Sequence, residues 1–213
     1  MAVPRQHTLV RRGDVWLRPF RLDDVAALQP AFADPEVLAW NPGPEGRGGV
    51  AAVESWLQER NDWEEGFHAS WAMSDPSLTL LGSVSLHKLD VEQADAEVGY
   101  WVVPWARGRG LAAQAVAAAA QFGFGELGLH RLYLFHAVEN QGSCRVAEIA
   151  GFGLEGRLRQ SYRYPTGCTT TSICTRGWPR IVTPARADHC GWVASRGRVG
   201  FRCPSTPSRA LRA

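Results

Sequence analysis

The stretch Glu97-Val98-Gly99-Tyr100-Trp101-Val102-Val103-Pro104, followed closely by Arg107-Gly108-Arg109-Gly110-Leu111-Ala112, constrains this chain more than any other. Its apolar, aromatic first half reads as a buried strand. An Arg/Gly turn follows, and Ala112 to Phe124, almost all small or apolar, reads as a helix. Strand, glycine turn and helix start together make an anion site. First-turn N–H groups lack intrahelical partners, and the helix dipole is positive there. Glycine lets the backbone approach an anion with no Cβ in the way. A basic surface turn would have the same composition. Neither common nucleotide fingerprint fits: no Gly-Lys-Ser/Thr completes a P-loop, and no Gly-x-Gly-x-x-Gly follows the first strand.

Around this stretch the chain alternates helix-like and strand-like segments. Val15 to Pro19 is a first strand after a polar, loosely held start over residues 1–13. Arg21 to Ala33 has helical spacing, with Asp23 and Asp24 suited to its first turn, and Asp34-Pro35 stops it. Residues 41–49 are a Gly/Pro loop, and Val50 to Glu65 is a second helix. His68 to Met73 and Leu78 to Leu89 are strands, the second alternating well with Gly82 as a bulge candidate. His130 to Val138 is a strand, and a helix runs from Asn140 to Ala150 with Gly151 as its C-cap. Phe152 to Tyr164 starts another strand or hairpin. The order is that of an α/β mixture around one sheet.

The 213 residues suit one domain with an appendage, and no apolar run is long enough to span a membrane. No apolar leader is visible, so the cytoplasm is the expected compartment. The formal charge of +2 hides a division. Residues 1–167 hold 15 Lys+Arg against 20 Asp+Glu; residues 168–213 hold eight Arg and one acid, Asp188. The basic balance therefore gives no reason to expect nucleic-acid binding by the main domain.

The motifs resemble those of the GNAT superfamily of acetyl-CoA-dependent N-acetyltransferases over about residues 14–165. The family's pyrophosphate motif, Gln/Arg-x-x-Gly-x-Gly/Ala, is matched by Arg107 to Ala112. A second block follows about thirty residues on, Asn140-Gln141-Gly142-Ser143 through Gly151-Phe152. With Ala96-Glu97-Val98-Gly99-Tyr100-Trp101, it looks most like the branch that acetylates ribosomal-protein N-termini. The resemblance implies a mixed, mostly antiparallel sheet flanked by helices, splayed between the strand at 96–103 and the strand at 130–138. It implies acetyl-CoA as co-substrate and no metal. The N–H groups of Arg109, Gly110, Leu111 and Ala112, with Arg107 and Gly108, would hold the pyrophosphate. Trp101, Val102 and Val103 would carry the strand beside the pantetheine arm, and Asn140 would bond that arm. An amine acceptor, either a protein N-terminus or a small molecule, would attack the thioester directly, so its proton needs a route away.

Glu97 is the first candidate for that base, because an apolar strand should raise its pKa. The competing reading is a solvent-facing or Arg-paired carboxylate. Ser143 is the candidate acid for the leaving thiolate, against a plain helix-first-turn hydroxyl. Many superfamily members use a Tyr four residues before the helix-ending Gly; this chain has Ala147 there. His68, His87, His130 and His136 show no metal-ligand spacing and read as core or surface residues, and Cys144 reads as structural. Trp40, Trp56, Trp63 and Trp71 line either an acceptor groove or the core. The alternative function is a CoA-binding regulatory or interaction module without catalysis.

Where the family would supply a final strand, the chain gives Cys168-Thr169-Thr170-Thr171-Ser172-Ile173-Cys174, and then Arg-rich sequence without periodicity. Residues 168–213 read as a basic, disordered tail outside the domain at 14–167. A G+C-rich back-translation of residues 168–181, read from the third base of the Gly167 codon, permits Val-His-Asp-Asp-Leu-His-Leu-His-Ala-Arg-Leu-Ala-Thr-Asp. That alternates as a half-buried strand should. The tail is thus expected to be a frameshift product, and resequencing the coding DNA checks it: an intact frame with unrelated codons would contradict it. A zinc site from Cys168, Cys174, Cys190 and Cys203 is the rival, weakened by the lack of any Cys-x-x-Cys.

Overall fold

The computed structural model describes residues 10–40, 49–64, 67–164, 169–177, 191–195 and 198–202. In chain order, β1 (Val10–Arg12) and β2 (Val15–Arg18) form a hairpin, a 3₁₀ turn at Leu22–Asp24 leads into α1 (Val25–Phe32), and α2 (Pro35–Trp40) and α3 (Val50–Asn61) follow. Next come β3 (His68–Ser74), β4 (Leu80–Asp90), β5 (Asp95–Val102) and α4 (Leu111–Gly125). After these lie β6 (Arg131–Ala137), α5 (Gln141–Ile149), β7 (Phe152–Arg163) and β8 (Thr169–Gly177). A separate hairpin pairs β9 (Gly191–Ser195) with β10 (Arg198–Arg202), in a second unit spanning residues 180–213.

One sheet of eight strands organises the first unit, in the order β1-β2-β3-β4-β5-β6-β8-β7. Every pairing in it is antiparallel except that of β5 with β6. That parallel pairing covers only Asp95–Arg131, Ala96–Leu132 and Glu97–Tyr133, after which the strands part. The expected splay is therefore present. The Ala-rich α4 packs closely on the strands because small side chains let a helix approach a sheet, and Ala115, Val116, Ala118 and Ala119 are fully buried. Trp63, Trp71 and Phe122 meet edge-to-face at 5.0–6.2 Å, tying the end of α3 through β3 to α4.

Gly82 holds the start of β4 close against β5, opposite Val102. Its φ is +154°, and a Cβ there would run into the Trp101 carbonyl oxygen and lie 2.5 Å from Met73 Cε. Gly82→Ala is expected to cost roughly 3 kcal/mol, from backbone strain plus overpacking, read as a lower urea midpoint at unchanged slope.

The structure differs from the sequence expectations at three places. Residues 10–12 are strand-paired rather than loose, with Val10 opposite Leu17. A short helix, α2, begins at Pro35, where a stop was expected: Pro suits a first helical position, and Asp34 Oδ1 accepts from Val37 N at 2.9 Å. The domain does not end at residue 167. Thr169–Gly177 lies in the sheet between β6 and β7, with Leu134 opposite Thr175 and His136 opposite Ile173. Strand pairing is a main-chain interaction, and the β-branched Thr169, Thr170, Thr171 and Ile173 favour extended backbone even without clean alternation. Cys168, Cys190, Cys203 and the loop at 41–48 lie outside the described residues.

Candidate active site

A cavity of about 920 Å³ opens where β5 and β6 part. The start of α4 forms one end. Gly108 and Gly110 have φ of +74° and +70°, and a Cβ on either would meet nothing within 4 Å, so the turn leaves open space above its backbone. Among the described residues no side chain caps α4; its first ladder bond is Gln114 N to Gly110 O at 3.3 Å, so the N–H groups just before Gln114 have no intrahelical partner. These are the features a pyrophosphate requires. Gly110→Ala should place a non-glycine residue in the left-handed region at a cost of about 1–2 kcal/mol and misdirect those N–H groups. A roughly tenfold weaker acetyl-CoA affinity is expected, measured by calorimetric titration.

Of the candidate residues, Glu97, Trp101, Val102, Arg107 to Ala112, Asn140 and Ser143 all line this cavity. Val103 does not. It is fully buried and its N–H already donates to Leu81 O at 3.0 Å, continuing the β4 ladder, so it has nothing to offer a ligand. Asn140 is partly committed as well: its Oδ1 caps α5 by accepting from Ser143 N at 2.9 Å, which leaves its Nδ2 for a ligand. Arg107 is held by Asp34 at 2.5 Å and by Glu36 at 2.7 Å, and its guanidinium keeps the Asp34 carboxyl below the usual range. This clasp ties the glycine turn to α2.

Glu97 departs from its expected electrostatics. Burial does push its pKa up, but His87 and Lys88 outweigh that and the net shift is downward. Lys88 Nζ donates to Oε2 at 2.7 Å, and His87 Nε2 lies 3.4 Å from Oε1. Glu97 is therefore an ionised, clamped carboxylate. The competing reading of a paired carboxylate was right about the pairing, although the partners are Lys and His instead of Arg. Sequence inspection missed both because they act only through the β4–β5 register, in which His87 stands directly opposite Glu97.

Tyr100, three residues further along and so on the opposite face of β5, turns its buried hydroxyl toward that of Ser143 where the cavity opens. Burial pushes its pKa up to about 12, and the neighbouring Ser143 hydroxyl pulls it the other way. Nε2 of the buried His136 has no hydrogen-bond partner among the described residues, its Nδ1 being 2.9 Å from Ala137 O. This buried, unpartnered nitrogen beside the splay fits a cavity that receives a polar arm. The cavity is also lined by Trp40, edge-to-face with Tyr164 at 5.7 Å, and by Tyr162. Trp56, Trp63 and Trp71 are core residues, so only Trp40 of the four candidate tryptophans faces the cavity. Among the described residues, no cluster of His, Cys, Asp and Glu could hold a metal, and no helix is long and apolar enough to cross a membrane.

An anion cradle on a glycine turn, opening into a splayed sheet, is the arrangement that the resemblance to GNAT acetyltransferases implies. A family model described as Acetyltransferase (GNAT) domain matches residues 14–153, and the chain belongs to that family. "Putative ribosomal N-acetyltransferase YdaF" of Bacillus subtilis is 38% identical over 81 residues, 38% of this chain and 44% of that protein. Spermidine N(1)-acetyltransferase of Vibrio cholerae is 30% identical over 92 residues, 43% of this chain and 53% of that protein. The chain thus spans about half the length of these curated relatives. Among solved structures, Mycobacterium smegmatis RimJ in complex with CoA-disulfide superposes with a TM-score of 0.72 at 22% identity, covering 83% of this chain and 88% of that one. The structural match concerns the fold.

Proposed function

We propose that this chain transfers an acetyl group from acetyl-CoA to a primary amine by direct attack on the thioester. The observation that carries the reading is one continuous cavity, with the α4 glycine turn at one end and Glu97 and Ser143 at the parting of β5 and β6. The N–H groups at the start of α4 hold the pyrophosphate, Asn140 Nδ2 meets the pantetheine arm, and the backbone of Trp101 and Val102 borders it. Acetyl-CoA supplies an activated acyl group. Glu97 receives the proton of the incoming ammonium, and Ser143, with Tyr100 beside it, protonates the leaving sulfur.

The acceptor end favours a single amine, such as a protein N-terminus, over a polyamine. The cavity's two carboxylates among the described residues, Glu36 and Glu97, are already paired with Arg107 and with Lys88 and His87. Trp40, Tyr162 and Tyr164 offer ring faces to one cation and its apolar neighbours. The second reading, a CoA-binding module without turnover, draws on Ala147 standing where many relatives have Tyr. Thiol release with acetyl-CoA and a panel of peptides and amines separates the two. Release with a peptide above the no-acceptor rate supports transfer, and tight binding without release supports the module.

A further inference from the structure

The proton that Glu97 collects has to leave. Glu97 is only 14% exposed at its side chain, and its two oxygens face Lys88 and His87. Lys88 cannot accept that proton: the hydrogen bond and charge of Glu97 raise its pKa, so it stays an ammonium. Tyr133, opposite Glu97 on β6, is a phenol whose pKa burial and nearby carboxylates raise, so it too stays protonated. Among the described residues His87 is the remaining neighbour, its Nε2 3.4 Å from Oε1, and an imidazole nitrogen that carries no hydrogen can accept a proton.

The structure holds His87 for this purpose. Nε2 faces Glu97, while Nδ1 lies 3.3 Å from Ser85 Oγ, a hydroxyl able to accept from Nδ1–H or to donate to a bare Nδ1. Either tautomer is therefore satisfied. The ring lies over Gly99, where a Cβ would come within 2.8 Å of Cε1. With 30% of its side chain exposed, His87 also reaches water. Beyond it, the register sets His68 opposite His87 and Ser70 opposite Ser85, with Ser70 Oγ 3.2 Å from His68 Nδ1. Burial, with the nearby Arg60 and despite Asp62, lowers the pKa of His68, which keeps that neighbour uncharged beside His87. The result is a lane of polar side chains across β3, β4 and β5.

We propose that His87 is a proton-relay residue that takes from Glu97 the proton lost by the acceptor ammonium and passes it to solvent. The proposal rests on the acetyl-transfer reading above. An N–H bond of the ammonium breaks as an O–H bond forms on Glu97. That O–H bond breaks as an N–H bond forms on His87 Nε2, and the imidazolium gives a proton to water. No electrons change hands, and Glu97 and His87 return to their starting states.

The test measures kcat and KM for wild type, His87→Asn and Gly99→Ala between pH 6 and 9.5, with acetyl-CoA and two acceptors, a short peptide with a free α-amine and spermidine. His87→Asn is expected to lose about tenfold in kcat at neutral pH, to keep KM for acetyl-CoA within about twofold, and to regain rate when free imidazole is added. Gly99→Ala, which alters no titratable group but displaces the ring, should show a smaller loss and an altered pH profile. An unchanged kcat and pH profile in His87→Asn would overturn the relay. So would a loss that imidazole does not restore and that follows the thermal midpoint, because that marks a structural role. If wild type releases no thiol with either acceptor, the transfer reading itself fails and the relay with it.

Discussion

Replacing Glu97 with Gln lowers kcat by about a hundredfold or more and leaves acetyl-CoA affinity nearly unchanged, as expected when a positioned proton acceptor is removed. Gln keeps the size of Glu97 and can still accept from Lys88, but it neither carries charge nor receives a proton. The pH profile sharpens the test. Because His87 and Lys88 hold the Glu97 pKa below its ordinary value of 4.5, the carboxylate is ionised throughout the neutral range. Any rise in the wild-type rate between pH 6 and 8 then belongs to a group other than Glu97. The stability linkage has a definite sign. A depressed folded pKa stabilises the fold above the unfolded value, and that contribution disappears as pH falls through the folded value. Wild type should therefore exceed Glu97→Gln in stability at pH 7, and the gap should close below about pH 4.5, measured by urea melts across pH. A Glu97→Gln variant with full activity would remove Glu97 from the mechanism.

Asp24→Ala destabilises the fold by about 3–5 kcal/mol. Arg18 and Asp24 form a bidentate pair at 2.7 and 2.8 Å, each with a side chain only 5% exposed. Asp24 also accepts from Arg21 N at 2.8 Å, and the Arg18 guanidinium donates to Leu78 O at 2.8 Å. Removing the carboxylate leaves a buried cation uncompensated and frees the turn that starts α1. Replacing both partners with apolar residues of similar volume should recover most of the loss, since burying two charges is itself expensive. Thermal melts of the single and double variants check this. A drop of roughly 10 °C is expected for the single change at this chain length. An effect under about 1 kcal/mol would mean that water reaches the pair.

β4 and α4 were legible in the sequence from composition, the one for its apolar residues and the other for its run of Ala, although both are buried over most of their length and not on one face alone. The cofactor end was legible for a different reason: glycines with positive φ before a helix leave a local pattern, and Gly108 and Gly110 carry it. The partners of Glu97 were not legible. His87 and Glu97 are ten residues apart and meet only through hairpin pairing, which is irregular between His87 and Asp90. Val103 looked like part of the pantetheine strand, but β4 has already claimed its N–H. The strand at 169–177 escaped notice because its side chains do not alternate and its pairing lies in the main chain.

The central claim is tested most directly by incubating the full chain with acetyl-CoA and a peptide bearing a free α-amine, then following the peptide by mass spectrometry and the released thiol together. The account predicts one acetyl group per peptide, placed on the amine, and one free CoA for each transfer. Saturable acetyl-CoA binding, with no acetylated product from the peptide or from any amine in a panel, would contradict it.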